Sequence, residues 1–177
     1  MTTSASDSSY IDRDFDAFCR MHSPRLIAAM RLQTGSDAYA VELAQEALMR
    51  AWKHWPEVAQ MNSPEGWLFR VAYNLAHSLR RRLTLVSRFE RRTDRPTSGA
   101  DETLAVELKE MLAKLPRRLR QAVVLRHLVQ FSVAETAEIM GCAEGTVKAL
   151  TGQGLRQLRA ALEPTEGEEE PMKVAPR

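Results

Sequence analysis

With 177 residues, 44% apolar content and a formal charge of +2, the chain can build one domain or two small ones around packed cores. Its 8 glycines and 8 prolines exclude a collagenous or broadly low-complexity protein. No apolar run approaches the ~20 residues of a bilayer span, and the opening MTTSASDSSYIDRD lacks the basic and apolar regions of a secretory signal. These features point to a cytoplasmic protein with no membrane insertion. Cys19 and Cys142 lie far apart with no metal-ligand spacing around them, so both are expected as buried thiols in a reducing compartment.

The small net charge conceals an asymmetry. From Glu163 onward, Glu163, Glu166, Glu168, Glu169 and Glu170 face only Lys173 and Arg177, a net of −3, which leaves +5 on the rest. The densest basic stretch, RRRLTLVSRFERRTDR, sets Arg80, Arg81, Arg82, Arg88, Arg91, Arg92 and Arg95 against Glu90 and Asp94. A basic block beside a helix fits a polyanion partner, and charge alone fits a solvated surface equally well.

In chain order, Phe15, Phe18, His22, Leu26 and Met30 recur at helical steps, as do Val41, Ala44, Leu48, Trp52 and Trp55. PEVAQMN reads as a short loop. Ser63 is the expected N-cap and Pro64 the first residue of a helix whose stripe is Leu68, Val71, Ala72, Leu75 and Leu79. From Val86 to Asp101 the pattern gives way to charges, Pro96, Ser98 and Gly99, a linker composition. Helical spacing resumes at Leu104, Leu108, Met111, Leu112 and Leu115, breaks at Pro116, and continues through Leu119, Val123 and Leu128. FSVAETAEIMGCAEGTVKAL then predicts a short helix, a turn at Gly141 and a longer helix. Val133, Ala137 and Met140 form the inner face of the first, and Val147, Leu150 and Leu158 that of the second. This is a helix-turn-helix pattern, although periodicity alone suits an ordinary helical hairpin as well. The expectation is an all-α chain with a disordered N-terminus over 1–11, a helical bundle over 12–85, a flexible linker over 86–101, a helix-turn-helix domain over 102–162 and a disordered acidic tail over 163–177.

The last predicted helix, GTVKALTGQGLRQLR, has two glycines in its interior, each costing about 0.5–1 kcal/mol relative to alanine. At 100° per residue Thr151, Gly154 and Leu158 follow Val147 within about 40°, with Leu155 and Leu162 flanking them. Gly154 therefore faces inward, where a small residue permits close helix approach. Gly152 groups with Gly145, Ala149, Gln153 and Arg156 on the opposite face, with Lys148 and Arg159 at one edge.

The stretch from Leu115 to Arg159 resembles the sigma-four domain of extracytoplasmic-function sigma factors, the small sigma subunits of bacterial RNA polymerase. The resemblance rests on Leu115, Pro116, Arg120, Leu125, Arg126, Ala137, Met140, Gly141 and Gly145 to Lys148. Independently, AVELAQEALMRAWKHW and SPEGWLFRVAYNLAHSLRRR are similar to the two signature helices of the sigma-two domain. The two matches span about Phe15 to Arg82 and Leu104 to Arg159.

The resemblance implies three contact surfaces. Glu42, Gln45, Glu46, Arg50 and Trp52 sit where the family docks on the clamp helices of the largest polymerase subunit, with Glu42 replacing the family's Asp. At least one of Trp52 and Trp55 is expected in the bundle core. Asn62, Ser63, Arg70, Asn74, His77, Arg80, Arg81 and Arg82 occupy the surface that reads and melts the minus-ten element. There, cations serve phosphates and an amide can read a base edge. Trp67 is expected to pack inside, and the family often has Asp near the position of His77 or Ser78. Thr146, Lys148, Ala149, Gly152, Gln153 and Arg156 would face the minus-thirty-five duplex, Gln153 toward adenine and Lys148 and Arg156 toward guanine or phosphate. Many relatives carry arginine at the positions of Leu150 and Gln153 and serine at Ala149. The pattern V-K-x-x-T-x-x-x-L is similar to an actinobacterial branch.

Implied partners are core RNA polymerase (the clamp helices and the flap of the second-largest subunit), promoter DNA and an anti-sigma factor. With no HExxH, P-loop or nucleophile elbow, no catalytic residue, metal or cofactor is expected. Two other readings are a helix-turn-helix regulator independent of polymerase and a sigma-like decoy that binds an anti-sigma factor without touching DNA. The first leaves the N-terminal motifs unexplained, and retained Arg80 to Arg82 and Lys148 argue against the second.

Overall fold

The computed structural model describes residues 5–87 and 103–162. The expected linker lies outside the described residues from position 88, and so does the acidic tail. Helix α1, Ala5–Thr34, starts inside the segment 1–11 and passes through Pro24 without ending. It stops at Gly35, whose φ of 76° is left-handed and whose N–H donates to the Arg31 carbonyl at 2.9 Å. Ser36 then caps α2, Asp37–Lys53, its hydroxyl accepting from the Tyr39 N–H.

The expected loop after α2 holds one further turn, α3, Trp55–Val58. Pro56 presets the dihedral of its first turn, and Trp55 and Val58, three residues apart, are both buried. Helix α4, Pro64–Ser87, opens as the sequence reading expects: the Ser63 hydroxyl accepts from the Gly66 N–H at 3.1 Å. A Cβ on Gly66 would lie 2.6 Å from that oxygen, so the cap itself excludes a larger residue there.

The second half comprises α5, Thr103–Lys114; α6, Arg117–Val123; α7, Val133–Met140; and α8, Glu144–Leu162. Helix α6 runs on into a wider turn over Val124–Leu128, where the Val129 N–H reaches back five residues to the Val124 carbonyl at 2.9 Å. Val124 and Leu125 are buried, and Leu128, expected on the apolar stripe, is exposed: at 100° per residue it lies about 140° from Val123 and about 180° from Leu119, out of phase with the buried side. Ser132 and Glu135 close a reciprocal capping box on α7. At the other end Gly141 is left-handed, its N–H meeting the Glu138 carbonyl and the Cys142 N–H the Ala137 carbonyl, a Schellman ending.

One other expected stripe is corrected, and the flank of a second. Helix α2 turns Ala40, Leu43, Ala44, Ala47 and Ala51 inward and leaves Val41 and Trp52 exposed, with Leu48 half-buried. Alanines let α1 and α4 approach α2 closely, which pushes its large side chains to the rim. In α8 the expected inner face is in place, with Val147 and Gly154 buried and Leu150, Thr151 and Leu158 half-buried, whereas the flanking Leu155 and Leu162 are exposed. Both cysteines are free and half-buried rather than fully buried.

The two halves do not stand apart. One core cluster joins Leu26, Met30, Leu68, Phe69, Ala72 and Tyr73 of the first half to Val124, Leu125, Val129, Phe131 and Ile139 of the second. Phe69 and Phe131 meet edge to face at 5.1 Å between ring centres. Polar ties surround this contact. Arg25, itself paired with Glu65 at 2.8 Å, donates to the Val129 carbonyl. Arg120 donates to the Leu32 and Gln33 carbonyls at the end of α1, and also to those of Ala113 and Leu115. A smaller cluster of Leu112, Leu115, Leu119 and Val123 anchors α8 through Leu150 and Leu158.

Candidate functional site

Three exposed faces carry the residues singled out in the sequence. On α2, Glu42, Gln45, Arg50 and Trp52 are exposed and Glu46 is half-buried. Trp52 remains 45% exposed although one side of its ring rests on Phe15 at 5.0 Å, while Trp55 fills the core behind it. Of the two tryptophans, one is core and one is surface. Arg50 Nε donates to Glu46 Oε1 at 2.8 Å, one turn away, a surface pair worth a few tenths of a kcal/mol at about 0.3–0.5. Its effect is to order the two side chains. Exposed Val41 and Met49 add apolar area, so the face combines apolar anchors with a polar surround, the composition of a protein-docking patch.

The second face lies on α4 and the loop before it. Asn62, Arg70, Asn74 and Arg80 to Arg82 are exposed, and Ser63 is half-buried because it caps the helix. Trp67 packs against the core, as expected. Arg70 borders a crevice between α4 and the start of the helix-turn-helix, lined also by Glu138, Cys142 and Glu144. His77 departs from its neighbours. It is half-buried, and both ring nitrogens lie against the Arg117 guanidinium of α6. Burial first, and then the positive charge of Arg117, lower its pKa; Gln121 opposes the shift, and Arg118 and Arg80 add to it. Burial and the neighbouring Arg80 likewise lower the pKa of Arg117.

On α8, Thr146, Lys148, Ala149, Gln153 and Arg156 are exposed, and Gly152 is half-buried. The two glycines separate as the helical phase predicts. A Cβ on Gly154 would lie 2.6 Å from Val123 Cγ2 and 3.5 Å from the Leu119 carbonyl oxygen, so α8 touches α6 at this point. A Cβ on Gly152 would meet only the guanidinium of Arg156, at 3.5 Å. The outer face is cationic and polar, with a bare backbone patch at its centre, a surface suited to phosphates and base edges.

Among the described residues no group of histidines, cysteines and carboxylates could hold a metal ion, and no helix is long and apolar enough to cross a membrane. The sequence reading missed the residues that join the halves: Arg25, Phe69, Arg117 and Phe131. Phe69 and Tyr73 lie beside the expected α4 stripe, and their extra apolar width was the available sign of a second packed face.

Comparison with known proteins converges on one family. Residues 18–85 match the model described as sigma-70 region 2, and residues 105–158 match sigma-70, region 4. The chain is 30% identical over 156 residues to an RNA polymerase sigma-E factor of Streptomyces avermitilis, covering 85% of this chain and 86% of that protein. It is 32% identical over 143 residues to the ECF RNA polymerase sigma factor SigL of Mycobacterium tuberculosis, covering 76% and 80%. Among solved structures, it is similar to the sigma factor RpoE in complex with the anti-sigma factor NepR from Bartonella quintana, with a TM-score of 0.78, 23% identity and coverage of 86% and 99%. CnrH in complex with the cytosolic domain of CnrY gives a TM-score of 0.62 at 22% identity, covering 85% and 88%. Both likenesses concern the fold. Two family models in order along the chain and actinobacterial relatives of near-equal length place this protein in the extracytoplasmic-function group of sigma-70 RNA polymerase sigma factors.

Proposed function

We propose that the three exposed faces divide the work of a sigma factor, which supplies promoter recognition and leaves the chemistry to the polymerase in the cytoplasm. The α2 face, with Trp52 as its anchor and Glu42, Gln45, Glu46 and Arg50 around it, docks on the clamp helices of the largest subunit. The α4 face engages the minus-ten element: Arg80 to Arg82 hold phosphates of the melted strand and Asn74 reads a base edge, flanked by Asn62, Ser63 and Arg70. His77 joins this surface only when the two halves separate. The α8 face lies in the major groove of the minus-thirty-five element, with Gln153 and Lys148 toward bases, Arg156 and Thr146 toward backbone, and Ala149 and Gly152 permitting close approach. The second half also docks on the flap of the second-largest subunit, and an anti-sigma factor regulates the protein.

The observation that carries this reading is the outer face of α8. It is exposed, cationic and free of bulk at Gly152, while the inner face of the same helix is locked to α6 by Gly154. In vitro transcription with purified core polymerase and genomic templates tests it. Initiation at a defined set of promoters is expected, and a folded protein that stimulates none would overturn the reading.

A further inference from the structure

His77, Arg80, Arg117 and Arg118 meet where α4 of the first half faces α6 of the second. Among the described residues none of the three arginines has an ion-pair partner. Arg120 lies nearby, its guanidinium committed to backbone carbonyls and its Nε buried without a partner. The contact between the halves is thus apolar and complementary at Phe69 and Phe131, tied by Arg25 and Arg120 at other points of its rim, and among the described residues electrostatically unfavourable at its His77 edge. As long as His77 is neutral, it can accept from Arg117. Once protonated it would be one more cation among arginines, with the Gln121 amide as the group that favours its charge.

The docked arrangement also conflicts with promoter binding. The minus-ten and minus-thirty-five elements are about 25 base pairs apart, roughly 85 Å at 3.4 Å per pair. A compact chain of this size is roughly 40 Å across. Both elements cannot be held while α4 and α6 stay together. Residues 88–102 are numerous enough to reach up to about 50 Å between the halves if extended.

We propose that the seam between the halves is a latch with a charge-controlled release at His77 and Arg117: neutral His77 keeps the protein closed and silent, and a proton on His77 opens it. The silencing part rests on the promoter-binding reading above; the opening does not. The sign follows from the environment of His77. Its pKa is lowered in the closed state, so closure is fully favoured above the ordinary value of about 6.5 and weakens as pH falls from there toward the lowered value.

Small-angle scattering of the full chain, with circular dichroism as the folding control, tests the latch directly. Between about pH 7.5 and about pH 5.5 the wild-type radius of gyration is expected to grow as the closed-to-open ratio falls several-fold, with helix content unchanged. His77→Gln, which keeps an acceptor for Arg117 but does not titrate in this range, should hold one radius at both values. Arg117→Glu places a carboxylate against His77 and Arg80 and should stay closed throughout. A wild-type radius that does not change, or a His77→Gln chain that expands as the wild type does, overturns the latch. Arg117→Glu should also lower the rate of promoter-complex formation several-fold at neutral pH; a closed variant that transcribes at the wild-type rate overturns the silencing. A wild-type chain that opens on acidification but never supports transcription counts against the promoter-binding reading alone.

Discussion

Helices α2 and α8 are built on the same device and end with different surfaces. Each turns small residues inward, alanines in α2 and Gly154 in α8, and so brings its backbone close to the neighbouring helix. What is left outside differs. Around Trp52, α2 presents Val41, Met49 and a Glu46–Arg50 pair; α8 presents Lys148, Gln153 and Arg156 around the open Gly152. Aromatic and apolar area with a charged surround suits a protein partner, whereas cations and amides with little apolar area suit nucleic acid. With the inner faces alike, the outer chemistry is what distinguishes the two helices.

The harshest way to break this comparison is to attack the shared device. Gly154→Val should cost about 3 kcal/mol through overpacking against Val123 and Leu119, read as a lowered midpoint in denaturant unfolding. A midpoint equal to the wild type would mean that α8 does not need its close approach. Next in size is Trp52→Ala, expected to weaken binding to core polymerase by about 2 kcal/mol while leaving promoter-element preference alone. Titration calorimetry against core polymerase, and promoter-variant transcription, separate those two effects.

On α8, Arg156→Ala should weaken binding to all promoters and reduce the slope of log affinity against log salt by about 1, while Gln153→Ala should relax discrimination at one upstream position. Transcription from promoter variants checks both, and upstream discrimination unchanged by either substitution would remove this face from the promoter. The smallest effect is the most diagnostic. Gly152→Ala should raise stability by about 0.5–1 kcal/mol, since its Cβ meets only the end of Arg156. If the backbone approaches the duplex there, the same substitution weakens promoter binding, and equilibrium unfolding beside DNA titration would show opposite signs.

Much of this architecture is legible along the chain because it depends on neighbours a few residues apart. The Ser63 cap, the turn at Gly141 and the opposite orientations of Gly152 and Gly154 all follow from local hydrogen-bonding chemistry or from helical phase. The exposed positions on α8 are legible for the same reason. Where reading failed on α2, distant contacts decided the result. The stripe Val41, Leu48, Trp52 has correct helical spacing, yet the alanine side of α2 is the one that α1 and α4 cover. Leu128 was misread for a local reason: it lies about 140° from Val123 and about 180° from Leu119 at 100° per residue, so helical phase itself puts it outside.

The sequence by itself therefore determined most of the helices, the Ser63 cap, the Gly141 turn, the order of the elements and the family to which they belong, since each depends on short-range periodicity and motif spacing. Only the tertiary structure decided that Phe69 meets Phe131, that Arg25 and Arg120 tie one half to carbonyls of the other, and that His77 faces Arg117. These partners are separated by 40 to more than 100 residues. Periodicity reveals that a helix has an apolar face; which distant face covers it is settled by the packing of the whole chain.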